Sequence, residues 1–173
     1  NMIVVYNTGQ LYKEVCSAIK KYGVRADLNY LDISRITSLD VLFNNVDFNG
    51  DISRWDVSNV TSMSSMFMNS NFNGDIGGWD TTKVINMCGM FNGSSFNQDI
   101  GRWDVGQVTN MSWMFTGSNF NRPIMDWNIR RLIHTDHMFS GSPFNQDLHK
   151  WKLKRPDLEL EKTIRGDLLK GYN

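Results

Sequence analysis

The sequence predicts an α/β repeat solenoid, a right-handed coil of short parallel strands and helical or 3₁₀ segments that is capped at both ends. Three observations lead to this prediction. A motif recurs every 24 residues, both ends of the chain depart from it, and 40% of the residues are hydrophobic, which is enough for a packed core. The 173 residues fit one domain. We expect a cap at residues 1–23, repeats at residues 24–155 and a second cap at residues 156–173.

The first residues have the pattern of a strand followed by a helix. Residues 2–6 are apolar and predict a strand, and a turn of Asn, Thr and Gly follows. The helix is predicted over Gln10 to Tyr22, with Gly23 as its stop. Its apolar face contains Leu11, Val15, Ala18, Ile19 and Tyr22. We therefore expect this helix to cover the N-terminal end of the repeats.

The repeat keeps its register through five copies. Phenylalanine stands at positions 48, 72, 96, 120 and 144, and tryptophan at positions 55, 79, 103, 127 and 151. One copy, called a unit here, reads F-N-x-D-I-x-x-W-D-V-x-x-V-T-x-M-x-x-M-F-x-x-S-x. A period of this length is typical of leucine-rich repeats, in which no unit buries its apolar face alone. The units must therefore stack.

Each unit is expected to contain one strand and one helical segment. Asp51-Ile52-Ser53 has one apolar residue between polar ones after a Gly/Asn turn, which predicts the strand. Val60, Met63 and the pair Met66-Phe67 have the spacing of a helix face, which predicts a helical segment at residues 59–67. Beyond Pro156, four apolar residues predict the C-terminal capping helix: Leu158, Ile164, Leu168 and Leu169.

The run from Gly50 to Phe67 and its copies resemble the repeat of the BspA-like bacterial surface proteins, a divergent leucine-rich-repeat family. The shared signature combines D-I-S-x-W-D, V-T-x-M and M-F, and it extends over residues 24–155. The resemblance implies a repeat solenoid that acts as an adhesive or ligand-binding module outside the cell. It implies no catalytic residues.

Charge and cysteine content limit the partners and the compartment. Eighteen basic and eighteen acidic side chains give zero formal charge, so the sequence predicts neither a nucleic-acid nor a membrane partner. Two cysteines are too few for a disulfide framework. Asn1-Met2 reads as one residue left from a cleaved tag before an initiator methionine. These observations together predict a cytoplasmic protein, with the cell surface as the alternative if an export signal has been removed.

Polar residues also recur in the units, and most have a structural interpretation. The asparagine after each phenylalanine is expected to be buried and to bond the backbone of a neighbouring unit. Two aspartate rows are expected to be exposed or bonded to amides, the second capping the helical segments. The rows contain Asp51, Asp75, Asp99 and Asp147, and Asp32, Asp56, Asp80 and Asp104. Calcium binding along them is the competing interpretation, although their spacing matches no known calcium loop.

Catalysis and zinc binding have little support in the sequence. His134 and His137 are three residues apart, but Asp136 would project elsewhere on a helix and no third ligand follows. No phosphate-binding, dinucleotide-binding or nucleophile motif is present. We therefore expect no enzyme activity, no metal and no cofactor.

Positions at which the units differ are the candidates for binding a partner, because the repeated positions form the framework. Trp113 is the one tryptophan outside the repeat frame, and it could be an exposed anchor or lie against neighbouring units. The other candidates come from the same row, from a basic cluster and from the predicted strand side. They are His137, His134, Arg130, Arg131, Arg54, Arg102 and His149.

The sequence thus predicts a non-enzymatic protein recognition module that is a monomer or a homodimer. A phage or mobile-element product that binds a host or defence protein is one form of this hypothesis. An extracellular adhesin fragment of a surface protein is the alternative, and a calcium- or zinc-binding module is a weaker one.

Overall fold

A computed structural model describes residues 2–157 of the chain. Strand β1 spans Ile3–Val4, helix α1 spans Thr8–Tyr22, strand β2 spans Leu31–Asp32, and helix α2 spans His149–Lys154. The two strands form a parallel pair, with Ile3 opposite Leu31 and Val4 opposite Asp32. Turns and irregular coil make up the remainder of the described chain, so this is a mostly coil fold.

The predicted N-terminal helix is confirmed and begins two residues earlier than expected. Asn7 caps its first turn, since its Oδ1 accepts a hydrogen bond from the Gln10 N–H at 2.9 Å. At the other end Gly23 adopts φ 83° and donates its N–H to the Ile19 carbonyl at 2.8 Å. Leu11, Val15 and Ala18 are buried, but Tyr22 is 59% exposed and does not belong to the buried face.

The predicted fold class is wrong: the units do not contain the strands and helical segments of a leucine-rich-repeat-like solenoid. Between α1 and α2 the described chain forms no helix, and β2 is its one strand. The predicted strand at residues 51–53 is reduced to a single bridge between Asp27 and Asp51. The predicted helical segment at residues 59–67 is absent, because the Phe67 N–H donates to Met90 of the next unit instead of to Met63.

Residues 24 positions apart lie side by side despite the irregular backbone. Single-residue parallel bridges join Ser38, Ser62, Asn86, Asn110 and His134 in turn. Alternate N–H groups beside each bridge donate to carbonyls of the next unit. In the first such set the four bonds are 2.9–3.0 Å long, and they run from Leu39 to Ser62, from Val41 to Ser64, from Phe43 to Met66 and from Asn45 to Met68. The same pattern recurs from Met63, Met87 and Met111, so backbone bonds between units replace bonds within helices.

Aromatic rows fill the core. One phenylalanine row has centroids 5.5–5.7 Å apart, and it consists of Phe43, Phe67, Phe91, Phe115 and Phe139. A second row has centroids 6.0–6.3 Å apart, and it consists of Phe48, Phe72, Phe96, Phe120 and Phe144. The five frame tryptophans are at most 4% exposed. Each donates its indole N–H at 3.0–3.1 Å to a carbonyl 27 residues earlier, so no frame indole is left unsatisfied.

At the C-terminal side a basic residue closes the last turn. Arg155 donates from one guanidinium nitrogen to the carbonyls of Ile129, Arg130 and Leu132 at 3.3, 2.9 and 2.7 Å. It also pairs with Asp157 at 2.7 Å. The predicted capping helix, with Leu158, Ile164, Leu168 and Leu169, lies outside the described residues. Within residues 2–157, neither helix is long and apolar enough to cross a membrane.

Candidate recognition surface

The repeated asparagines bond neighbouring units, as predicted. Each Oδ1 accepts a hydrogen bond from the backbone N–H of the asparagine 24 residues later. The four bonds are 2.8–3.1 Å long and link Asn49, Asn73, Asn97, Asn121 and Asn145. The predicted burial is wrong, because these residues are exposed or half-buried. The row is therefore part of the framework.

The aspartate rows close turns instead of capping helices. Each carboxylate accepts from the backbone N–H two residues later, for example Asp51 from Ser53 at 2.9 Å and Asp99 from Gly101 at 2.9 Å. The second row does the same, for example Asp80 from Thr82 at 3.1 Å. The carboxylates are exposed or half-buried and bonded to amides, as the charge argument required.

Hydrogen bonds hold the pKa of three of these carboxylates below its ordinary value. The Ser53 backbone N–H, followed by the Asn29 amide and the Ser53 hydroxyl, lowers the pKa of Asp51. Hydroxyl groups are the main cause of the lowered pKa of Asp32 and Asp80, through Ser34 and Thr82 respectively. Within residues 2–157, no three His, Cys, Asp or Glu side chains come together as a metal site.

A row of left-handed residues runs along the outside of the units. This outer row consists of Val41, Ser65, Gly89, Trp113 and His137, with φ between 53° and 61°. A second left-handed row lies four residues further on, and it consists of Asn45, Asn69, Gly93, Gly117 and Gly141. Glycine is expected at such angles and asparagine and histidine are enriched there, whereas valine and tryptophan are unusual. The outer row therefore contains strained backbone at variable positions.

Trp113 and His137 form an aromatic pair on this outer row. Their ring centroids are 6.0 Å apart and the planes differ by 18°. Trp113 remains 44% exposed, and His137 is exposed as well. The His137 Nδ1 lies 3.2 Å from the Ser140 hydroxyl. Both interpretations of Trp113 thus apply in part, because its ring contacts the neighbouring unit and still presents surface to solvent.

Next to this pair the fourth full unit presents a nearly continuous exposed run. Leu132 and Thr135 are buried, while their neighbours point to solvent. His134 lies on the parallel bridge to Asn110 and not on a helix, which corrects the predicted placement. We name these residues together the Trp113 surface. It consists of Trp113, Arg130, Arg131, Ile133, His134, Asp136 and His137.

The sequence analysis missed Ile133, which is 62% exposed. Its row otherwise contains Thr37, Thr61, Ile85 and Thr109, and Ile85 is 48% exposed. The sequence contains a signal for this exposure, because threonine at the equivalent positions of other units indicates that the position faces solvent. Isoleucine there adds exposed apolar surface without contributing to the core.

The other three predicted residues lie on a different turn of the unit. Arg54 lies 4.0 Å from Asp27, and its backbone N–H bonds Asn29. His149 begins α2 and contacts Asp147 at 2.6 Å. Arg102 is exposed at the equivalent turn of the third full unit. No strand runs through this turn at residues 54 or 102, so the predicted strand is wrong at this position, and binding by these residues stays a prediction.

Arg130 and Arg131 differ from the basic residues around them. Lys150 pairs with Asp126 at 2.7 Å, Arg155 is bonded as described above, and Arg122 donates to the Asn97 carbonyl at 2.9 Å. Within the part of the chain that the structure describes, the guanidinium groups of Arg130 and Arg131 form no ion pair or hydrogen bond. Both are exposed and available to a partner.

Stacked 24-residue units with a mostly coil backbone define a repeat protein. A family model described as "Mycoplasma protein of unknown function, DUF285" matches residues 12–115 and 68–158. The chain belongs to this family. Comparisons with curated proteins and with solved structures found no match.

Proposed function

We propose that this protein is a non-enzymatic recognition module that binds another protein through the Trp113 surface. The observation that carries the proposal is Trp113 itself, an exposed tryptophan at a left-handed backbone position that all five residues of the outer row share. It adopts φ 55° at a position where the preceding unit has Gly89 at φ 61°. A non-glycine residue in this region costs about 1–2 kcal/mol, so a large aromatic side chain there is unfavourable for folding. Strained residues of this kind concentrate at functional sites.

The chemistry of Trp113 also suits recognition. Tryptophan, tyrosine and arginine dominate the binding energy of protein interfaces. Trp113 is 44% exposed, its orientation is supported by His137, and two unpaired arginines lie on the adjacent unit. Such an aromatic side chain loses little conformational freedom on binding.

Affinity capture from the cells that encode the protein tests the proposal. The wild-type chain and a Trp113→Gly variant would be used as baits, because glycine suits the local backbone and should preserve folding. Arg25→Ala, at an exposed position outside the Trp113 surface, is the control. We expect the captured partner to be lost with Trp113→Gly alone. Equal capture by all three baits would contradict the proposal.

The compartment is a separate proposal. Cys16 and Cys88 are free thiols, which favours a reducing environment and a cytoplasmic partner. The alternative is an extracellular adhesin related to the BspA-like proteins, and it is supported by the D-I-S-x-W-D and V-T-x-M signatures within the stretch that the family model matches. Antibody labelling of intact and of permeabilised cells separates the two, since an adhesin would be labelled in both.

A further inference from the structure

We infer that the segment bound by the Trp113 surface is an acidic stretch of polypeptide that carries an apolar anchor residue. This inference rests on the proposed function and specifies the chemistry of the partner. It follows from two features of the Trp113 surface, namely unpaired positive charge and exposed apolar side chains.

The charge of the Trp113 surface is unbalanced. Arg130 and Arg131 contribute two positive charges, and Asp136 is the one carboxylate among the seven residues. Other basic side chains of this region already form ion pairs, Lys150 with Asp126 and Arg155 with Asp157. Guanidinium groups bind carboxylates through paired hydrogen bonds, so two free arginines on one turn favour an acidic partner.

Exposed apolar residues accompany the polar residues of this run. Trp113 is 44% exposed, Ile133 is 62% exposed, and Ile85 in the same row as Ile133 is 48% exposed. Exposed apolar residues framed by polar ones are typical of sites that bury an anchor side chain. A purely acidic segment would leave Trp113 and Ile133 in water, and a purely apolar one would leave both arginines without a partner.

Nucleic acid fits these observations less well. A bound single strand would use stacked aromatic rings and a track of positive charge. Here one face of the Trp113 ring is occupied by His137, Ile133 offers no stacking surface, and the chain has zero formal charge. A protein segment uses both the arginines and the aliphatic side chain.

Selection from a random peptide library on the full chain tests the inference. Peptides of about 12 residues are long enough, since an extended chain spans about 3.3 Å per residue. The selected peptides should be rich in Asp and Glu around one Trp, Phe, Leu or Ile. Their binding would then be measured by fluorescence anisotropy in low and high salt, with oligo(dT) as a nucleic-acid probe.

Two variants and a matched control give the expected pattern. The double variant Arg130→Ser, Arg131→Ser should weaken peptide binding about tenfold and reduce its salt dependence. Trp113→Gly should weaken binding about 30-fold through loss of the anchor contact. Arg25→Ser removes an exposed arginine outside the Trp113 surface and should leave binding unchanged.

The outcomes separate this inference from the proposed function. Peptides without acidic enrichment, or binding that is lost in Trp113→Gly but unchanged in the double arginine variant, would overturn the inference and leave the recognition function intact. Binding that is unaffected by both variants would contradict the recognition function as well. Recovery of no binding peptide, or tighter binding of oligo(dT) than of any selected peptide, would also overturn the inference.

Discussion

The frame tryptophans and Trp113 show how position within a unit decides what one residue type does. Trp103 is 3% exposed, stacks on Trp79 at 6.4 Å and donates its indole N–H to Ile76. Trp113 is 44% exposed and contacts only the next unit's histidine among the aromatic residues described. The inner rows hold units together, and the outer row is free to vary. Stability and recognition should therefore respond to different substitutions.

The largest expected effect concerns the inner tryptophan row. Trp103→Ala should lower the free energy of unfolding by about 3–5 kcal/mol, because it leaves a cavity and removes one of the two hydrogen bonds that the Ile76 carbonyl accepts. Chemical denaturation monitored by circular dichroism measures the change. Trp103→Phe is the matched control, since it keeps most of the buried area and loses the indole N–H. If Trp103→Ala lowered the free energy of unfolding by less than about 1 kcal/mol, the tryptophan row would not be a main source of core stability.

The asparagine row should have a smaller effect. Asn97 accepts from the Asn121 N–H at 2.9 Å and its own N–H donates to Asn73 at 2.8 Å. Asn97→Ala leaves the Asn121 N–H without this acceptor and should cost about 1 kcal/mol, because the site is only half-buried. Asn97→Asp retains an acceptor oxygen and should be closer to wild type. Equal losses in the two variants would argue against the hydrogen bond as the cause.

The arrangement of side chains in rows could be predicted from the sequence, but the backbone between them could not. The 24-residue spacing of Phe67 and Phe91 required stacking, and α1 had ordinary cap and stop signals. The spacing of Val60, Met63 and Met66 resembles that of a helix face, although these residues do not form a helix. Left-handed residues at Ser65 and Asn69 redirect the chain, so a turn reproduces the apolar spacing without helical hydrogen bonds.

The exposed residues of the Trp113 surface were predictable to a similar extent. Variation between units identified Trp113, His134 and His137, because framework positions repeat and surface positions do not. It also selected Arg54 and His149, which the structure places on another turn and against nearby carboxylates. Sequence variation indicates exposure, but it does not show which exposed positions lie on the same run. That depends on turns such as the one at His137, whose left-handed φ has no sequence signal.

Acid should weaken the framework through the aspartate turns. The folded-state pKa of Asp32, Asp51 and Asp80 lies below the ordinary value of 3.8. Groups with a lowered folded pKa contribute stability that is present above the unfolded-state pKa and is lost as pH falls through the folded pKa. The urea midpoint should therefore decrease between about pH 5 and about pH 2.

Asp80→Asn provides the control for this pH dependence, because the amide oxygen still accepts from Thr82 but no longer titrates. The variant should show a shallower decrease of the urea midpoint with falling pH. A wild-type midpoint that rises on acidification would mean that repulsion between neighbouring aspartates, and not hydrogen bonding, dominates the rows.

The smallest expected effect on stability belongs to Trp113. Trp113→Gly removes the stack on His137, worth about 0.5–1.5 kcal/mol, but relieves a left-handed conformation that costs a non-glycine residue about 1–2 kcal/mol. The greater freedom of glycine in the unfolded chain offsets part of that relief. The free energy of unfolding should therefore change by less than about 1 kcal/mol, as measured by urea denaturation.

Trp113→Ala sharpens this comparison, because alanine loses the same stack and keeps the backbone strain. It should be less stable than Trp113→Gly, by about 1 kcal/mol. The reverse order would show that the left-handed conformation is not costly at this position. A loss of stability in Trp113→Gly as large as that in Trp103→Ala would show that Trp113 belongs to the core. That result would contradict its proposed role in binding a partner.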